Sequence, residues 1–247
     1  MQIFPLSEGV FTIGHDKIFN PFDPLKDVLT DRPTGSLMVE IQPFLIELRG
    51  EYILLDTGLG FKNKEGEWQL YENLKQVGVS PEQIHKVILS HLHKDHAGGI
   101  LNQNIQQIES LMFPQATYYI SKKEFEFAIQ KGYPSYELSD FEMLKNHPQV
   151  EWLDEKGAIG DYISYETIGG HCPYHIAIHI KYNGKTVFYG GDVVPQLRQL
   201  KTKYVAKYDF DGVKSMELRQ QFAKRGKEEA WTFLFYHDVK IPISTLA

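Results

Sequence analysis

Between Ser90 and Gly99 the chain reads Ser-His-Leu-His-Lys-Asp-His-Ala-Gly-Gly, which packs three imidazoles and a carboxylate into positions 91–96. With only 10 histidines in 247 residues, meeting His-x-His-x-Asp-His by chance is roughly a one-in-a-thousand event. In extended chain alternate residues share a side, so His91 and His93 can address one point while Asp95 and His96 turn to a second close by. Neutral imidazoles suit a borderline cation such as zinc, and a carboxylate beside imidazole also tolerates manganese or iron. One cation would leave donors unused. A second needs a bridging anion and further ligands from elsewhere in the chain. Val87, Ile88 and Leu89 lead straight into the cluster, so its donors belong on the loop at the end of a buried strand, where α/β proteins usually place their chemistry.

Three other strand ends repeat that arrangement. Gly169-Gly170-His171 follows a β-branched run ending at Thr167, Gly190-Gly191-Asp192 follows one ending at Tyr189, and His237 follows one ending at Phe235. The elements that must position these donors can be read in order. A short strand at 9–13 precedes a proline-broken stretch, 15–36, whose spaced apolar residues include Phe19 and Phe22. A segment of this length without periodicity reads either as a lid over the site or as a dimer-contact arm. Runs at 37–41, 44–48 and 52–55 read as a three-stranded meander ending in Asp56-Thr57-Gly58. Leu70, Leu74 and Val77 recur at helical spacing up to Gly78, and Ser80-Pro81-Glu82-Gln83 has the form of a capping box before the strand at 86–90.

Beyond the cluster, Ile105, Ile108, Leu111 and Met112 predict a helix within 100–112, followed by a strand at 116–120 and a helix opened by Ser121 and stopped by Gly132. The segment around 141–145 is weakly helical. Strands follow at 150–153, 162–167, 176–181 and 186–189, with Asn183-Gly184 as a hairpin turn between the last two. A helix at 215–225 and a strand at 231–235 complete the chain. Each half thus has strands first and a helix later, which suggests an internal duplication of layers, although no residue-level repeat is present.

A chain of 247 residues with 42% hydrophobic content can bury a large core as one domain. The formal charge of −6 gives no basic footprint, so nucleic acid and anionic membranes are disfavoured as partners. Cys172 is the one cysteine, which excludes an intramolecular disulfide and fits a reducing compartment. Met1 to Pro5 has no basic-then-apolar leader, and no run approaches the roughly 18 apolar residues of a spanning helix. A cytoplasmic protein is expected.

The seven donors and their placement resemble the metallo-β-lactamase fold superfamily of binuclear metallohydrolases, and the resemblance runs from Asp56-Thr57-Gly58 to His237. It implies an α/β fold, a four-layer αββα sandwich of two mixed sheets flanked by helices, with the metals at one edge. It also implies two divalent cations, zinc first with manganese or iron as alternatives. His91, His93 and His171 would serve one, Asp95, His96 and His237 the other, and Asp192 would bridge. True β-lactamases of this fold lack the bridging aspartate, and the flavodiiron redox branch carries a glutamate where His93 stands. The layout is similar to the lactonase and organophosphate-hydrolase branch. Lactonases of that branch place a tyrosine three residues after the bridging aspartate, where this chain has Pro195. The usual Gly-His-x-Pro-Gly-His turn here is Gly170-His171-Cys172-Pro173-Tyr174-His175.

The resulting expectation is hydrolysis of an ester-like bond (lactone, ester or phosphotriester) in a small molecule by a metal-bridging hydroxide that Asp95 orients. Asp56 and His175 are expected to buttress ligands, and Phe19, Phe22 and Tyr174 to wall the pocket. Cys172 reads as a small packed residue, Lys94 as a solvated loop charge, and His15, His85, His147 and His179 as isolated histidines. If the 15–36 stretch is the arm and not the lid, its apolar side chains, with the branch likeness, point to a homodimer. The alternatives are a thioesterase of the glyoxalase II type or a phosphodiesterase on the same metals, and, from another class, a metal-stabilised binding module. The uncharged tail at 241–247 and the absence of a basic arm weigh against the first two.

Overall fold

Alternation of apolar residues along the strands builds the layers of this protein. The computed structural model describes residues 1–103 and 109–246. Its strands are β1 (Gln2–Pro5), β2 (Gly9–Ile13), β3 (Phe19–Pro21), β4 (Leu37–Ile41), β5 (Phe44–Leu48), β6 (Glu51–Leu55), β7 (Ile84–Ile88), β8 (Leu101–Gln103) and β9 (Glu109–Leu111). They continue as β10 (Thr117–Ser121), β11 (Val150–Leu153), β12 (Lys156–Ile159), β13 (Ile163–Thr167), β14 (Ile176–Tyr182), β15 (Lys185–Tyr189), β16 (Thr232–Leu234) and β17 (Ile243–Thr245). The α-helices are α1 (Gln69–Gln76), α2 (Lys94–Ala97), α3 (Lys122–Lys131), α4 (Leu197–Leu200) and α5 (Gly212–Glu228).

Two six-stranded mixed sheets result, in the orders β1-β5-β6-β7-β10-β11 and β12-β13-β14-β15-β16-β17. Phe44, Ile46, Ile53, Leu55 and Ile88 of the first sheet share one buried cluster with Ile176, Ile178, Ile180, Val187 and Tyr189 of the second. Their neighbours in sequence face the other way. Leu45, Leu54 and Val87 pack with Leu70 and Leu74 of α1 and Phe125 and Ala128 of α3, while Ala177, Phe188 and Phe233 pack with Leu197 and Leu200 of α4 and Phe222 of α5. The order helix, sheet, sheet, helix is the expected αββα sandwich. No helix among the described residues is long and apolar enough to cross a membrane.

Several expected elements stand where the sequence puts them. The capping box of Ser80 and Gln83 is formed, Ser121 caps α3 through the Glu124 amide, and Asn183 and Gly184 turn between β14 and β15 with φ of 49° and 73°, the left-handed pair that a tight hairpin needs. The helix expected at 215–225 begins earlier, because Asp211 caps it by accepting from the Lys214 amide at 2.9 Å. The expected meander is corrected. β4 pairs with β2 (Ile41 opposite Gly9), not with β5, because β1 occupies that edge of β5 (Gln2 opposite Glu47) and Pro43 turns the chain between the two sheets.

The helix expected within 100–112 is corrected too: Leu101 pairs with Leu111 in an antiparallel hairpin of β8 and β9. Ile105 and Ile108 lie outside the described residues. Asparagine and β-branched residues are poor helix formers, and Ile100, Leu101, Leu111 and Met112 are buried in the core under α1 without a helical face. The 15–36 stretch contributes β3, which pairs with β2, and then presents Leu25, Val28 and Leu29 at 95%, 56% and 58% exposure.

The link between β1 and β2 buries a carboxyl beside the future site. Glu8 Oε2 accepts from the Leu59 amide at 2.6 Å, Oε1 has no partner, and a Cβ on Gly58 would fall 2.4 Å from Oε2. Burial pushes the Glu8 carboxyl up to about 8, against the Leu59 bond that lowers it. A folded value above the unfolded one means that this contribution is fully present below the ordinary value of 4.5 and is lost as pH rises through 8. Glu8→Gln keeps the acceptor for Leu59. Thermal unfolding should show the melting temperature of the variant gaining on the wild type between about pH 5 and about pH 9; parallel pH profiles would contradict the assignment.

Candidate metal centre

The C-terminal ends of β7, β13, β15 and β16 meet along one edge of the sandwich, and each hands its chain to a donor-bearing loop. β7 runs through Ser90 into His91, His93 and α2, and the Ile176 amide of β14 donates to the Ser90 carbonyl at 2.9 Å, which fastens this loop to the second sheet. Three ring nitrogens converge first: His91 Nε2 lies 3.0 Å and His171 Nε2 2.9 Å from His93 Nδ1. Beside them, His237 Nε2 and His96 Nε2 lie 3.5 Å and 3.8 Å from Asp95 Oδ2. Asp192 stands between the groups. Its Oδ1 is 3.1 Å from His96 Nε2 and 3.0 Å from His237 Nε2, while Oδ2 is 3.2 Å from His171 Nε2.

These atoms fit a bound cation better than each other. The triplets His91/His93/His171, His91/His96/Asp192 and Asp95/His96/His237 each hold their donor atoms within 4.8 Å. His96 Nε2 and Asp192 Oδ1 are buried and close, yet neither makes a hydrogen bond, as expected of lone pairs aimed at a common point and not at one another. The donor set, imidazole with carboxylate, is the one borderline divalent ions prefer.

The opposite ring nitrogens explain the aim. His96 Nδ1 is 2.7 Å from Asp56 Oδ2, and the same carboxylate accepts from the Ser90 amide, the Ser90 hydroxyl and the Tyr189 hydroxyl. His91 Nδ1 meets Ser90 Oγ at 3.0 Å, His171 Nδ1 meets Asp209 Oδ1 at 2.8 Å, and His237 Nδ1 donates to the Glu40 carbonyl at 2.7 Å. Asp56 and His175 thus act on donors from outside: the Asp192 amide donates to His175 Nε2 at 3.2 Å, and the His175 ring lies 4.8 Å from that of His91. Tyr236 stacks on His96 at 4.0 Å and donates to the Asp95 carbonyl. Glu124 of α3 ties three pieces together by accepting from the Leu92 amide, the Tyr136 hydroxyl and the Cys172 thiol; Cys172 is a packed residue, and the Tyr136 ring lies 4.7 Å from that of His93.

Electrostatics divides the two ends. Burial, reinforced by neighbouring imidazoles, holds His91 and His93 well below their ordinary value, so both keep a lone pair at neutral pH. At the other end burial also opposes charge, yet Asp192 and Asp95 outweigh it and push His96 and His237 up, with Asp56 adding to the effect on His96. Burial likewise works against the charged form of Asp192, but His237, His96 and His171 pull it well below the usual carboxylate range. The carboxylates therefore favour positive charge between them strongly enough to bind protons on imidazole, and a divalent cation satisfies the same field.

The expected pocket walls are spread out. Phe19 packs edge-on against Phe11 at 6.3 Å and Tyr174 against Phe127 at 6.0 Å, whereas Phe22 is half-buried with its amide bonded to the Val10 carbonyl. Lys94 departs from the expected solvated charge: it is half-buried, with its ammonium 5.8 Å from the Phe19 ring and 5.7 Å from the Tyr133 ring, because aromatic faces attract cations. Sequence reading missed Ser90, Glu124, Tyr136, Tyr189, Asp209 and Tyr236. Only Ser90, inside the motif, carried a local signal.

Comparison with known proteins agrees with this fold. The chain is similar to the N-acyl homoserine lactonase AttM of Agrobacterium fabrum, 29% identical over 42% of this chain and 38% of the relative. It is also similar to the N-acyl homoserine lactonase AiiB of the same species, 33% identical over 29% of this chain and 33% of the relative. The matches thus span about two fifths or less of these relatives' length. Among solved structures, a probable metal-dependent hydrolase from Staphylococcus aureus superposes with a TM-score of 0.76 at 19% identity, covering 99% of this chain and 91% of that one. AidC, described as a dizinc quorum-quenching lactonase, superposes with 0.75 at 22%, covering 98% and 89%. Residues 41–237 match the metallo-β-lactamase superfamily, and with its two sheets and its strand-end donors in place the chain belongs to that superfamily.

Proposed function

We propose that this protein is a binuclear metal-dependent hydrolase that cleaves an ester-like bond in a small molecule. The observation that carries the reading is Asp192, whose two carboxylate oxygens each face a different group of histidines. In this reading His91, His93 and His171 hold one divalent cation, Asp95, His96 and His237 hold the other, and Asp192 joins them. Zinc fits the imidazole-rich donor set first, with manganese or iron as alternatives. When bound, the cations supply Lewis acidity that acidifies a water and polarises the carbonyl or phosphoryl oxygen under attack.

The chain's own groups do the rest. Asp95, with Oδ2 beside His96 and His237, accepts the proton of the attacking water in this reading and returns it to the departing oxygen. Asp56, Asp209 and the Glu40 carbonyl keep the histidines from turning away, which preserves geometry at the reacting bond. The lactonase names of the relatives support a lactone as the first substrate class to try; Pro195 stands where the tyrosine of such enzymes would help polarise the carbonyl.

The test is a panel of lactone, ester, thioester and phosphotriester substrates run on protein whose metal content has been quantified. Turnover of an oxygen ester or lactone that disappears in His93→Ala is the expected result. Turnover retained in that variant contradicts the reading, and two bound metals with no turnover anywhere in the panel would favour a metal-stabilised binding module.

A further inference from the structure

The inner face of α5 carries a charge where a helix packed on a sheet ordinarily carries apolar atoms. Ser215, Arg219, Phe222 and Gly226 are its buried positions, spaced as one stripe of a helix, and Arg219 is 1% exposed. Arg49 and Arg225 pair with Asp161 and Glu229 at the surface, whereas the Arg219 guanidinium has no carboxylate within ion-pair distance among the described residues. Its donors go to backbone instead: Nη1 donates to the Val193 carbonyl at 3.0 Å and Nη2 to the Tyr204 carbonyl. Burial pulls Arg219 below its ordinary value, with Asp209, Tyr208 and Tyr204 opposing. A methionine would occupy much of the same space without desolvating a charge. What a guanidinium adds is a planar fork whose donors point in fixed, divergent directions.

Both carbonyls belong to segments that place donors of the metal centre. Val193 follows Asp192 in the short turn Gly191–Val193, whose other fixed point is the Asp192 amide on His175 Nε2 at 3.2 Å. Farther along the same segment, the Pro195 carbonyl accepts from the His237 amide at 3.0 Å, and the Gln196 side chain donates to the His237 carbonyl at 3.0 Å. Tyr204 lies in the segment that continues to Asp209, whose Oδ1 meets His171 Nδ1 at 2.8 Å, and to Phe210, whose amide donates to the His171 carbonyl at 2.9 Å. One side chain thus reaches from the helix layer to the backbone beside Asp192 and to the segment that aims His171. Asp192 Oδ1 stands 3.0 Å from His237 Nε2 and Oδ2 3.2 Å from His171 Nε2, so a small rotation of the turn would draw one oxygen away from its histidine. Within the turn itself only the Val193 amide on Gly190 and the Val194 amide on Gly191, both at 3.1 Å, resist such a rotation.

We propose that Arg219 is a positioning residue of the metal centre: by holding the Val193 and Tyr204 carbonyls it fixes where Asp192 stands between the two groups of histidines. This rests on the binuclear reading above and adds to it a residue that touches neither a donor side chain nor the substrate.

The test is zinc binding to Arg219→Met and Arg219→Lys, measured by calorimetry against a competing chelator, beside turnover of the ester that the wild type cleaves fastest. In Arg219→Met the affinity for the second ion should fall about tenfold and kcat by a similar factor, as when a group that orients ligands is lost, with KM within about twofold. With manganese in place of zinc, the spin-coupled signal of an ion pair should weaken in electron paramagnetic resonance. Arg219→Lys keeps the charge and can reach one carbonyl, so it should recover part of the loss. Leu74→Ala, in the core under α1 on the far side of the sandwich, lowers the melting temperature without touching these loops and should leave second-ion affinity and kcat unchanged. If Arg219→Met does not fold, the loss in Arg219→Lys relative to Leu74→Ala decides. Second-ion affinity and kcat at the wild-type level in every folded Arg219 variant overturn the proposal while hydrolysis stands. A wild type that binds two ions and cleaves no ester, with second-ion affinity falling in Arg219→Met, overturns the hydrolase reading and leaves the positioning role in place.

Discussion

On the proposed binuclear reading, Asp192→Asn should reduce the bound metal from about two ions per chain to about one or fewer, and lower kcat/KM for ester hydrolysis on the order of 10³-fold, since two-metal stabilisation is worth several kcal/mol. The substitution changes neither length nor shape. What it removes is one of two equivalent oxygens and the negative charge they share. The wild-type carboxylate presents Oδ1 to His96 and His237 and Oδ2 to His171, whereas an amide can present an oxygen to one side only and must turn an NH₂ donor towards the other. The His96 and His237 imidazoles also lose the carboxylate that does most to offset their burial. Elemental analysis after dialysis, with melting temperatures taken with and without a chelator, measures the first effect separately from turnover. Two ions retained at undiminished affinity in the variant would remove Asp192 from between the sites.

Most of the site was legible because its donors are local in sequence or mark strand ends. His91, His93, Asp95 and His96 occupy one loop, and each remaining donor follows a recognisable β-run by two to four residues, so strand ends marked them as candidates and the family likeness supplied their roles. The groups that aim those donors were not legible. Asp209 reaches His171, and Glu124 reaches Cys172, across 38 and 48 residues, and neither carries a periodicity or a motif that would single it out. The fold shows the same division. Alternation in β5, β6, β14 and β15 gave both their existence and their two faces, because each face is buried in a different layer. It said nothing about partners, and so β4 went to the wrong neighbour: the competitor, β1, is fixed by long-range pairing along β5. At 101–111 the apolar spacing fits a helix as well as a hairpin, and burial under α1 decided for the hairpin.

Gly99→Ala should destabilise the protein by about 3 kcal/mol, lowering its melting temperature by roughly 10 °C, and should also loosen metal binding although the residue carries no donor. An added Cβ would fall 2.1 Å from the Thr57 carbonyl oxygen. That oxygen is backbone in a loop locked to the other: the Thr57 amide and hydroxyl both donate to the His96 carbonyl, at 2.8 Å and 2.9 Å, and the Gly98 amide donates to the Gly58 carbonyl at 3.0 Å. Gly60 and Gly98 show the same closeness, with a Cβ 2.0 Å from the Gly98 oxygen and 2.3 Å from the Leu59 oxygen respectively. The loops therefore approach backbone to backbone, and they separate if one thickens. Separation moves Asp56, one residue before Thr57, away from His96 Nδ1 and frees the imidazole that Asp56 orients. Gly66→Ala supplies the contrast. Gly66 has φ of 84° but open space around a Cβ, so it should cost only about 1 kcal/mol of backbone strain and leave the metal content intact. Denaturant unfolding of both variants, with metal content measured in parallel, separates close approach from left-handed strain; a Gly99→Ala loss no greater than that of Gly66→Ala would refute the account of the loop contact.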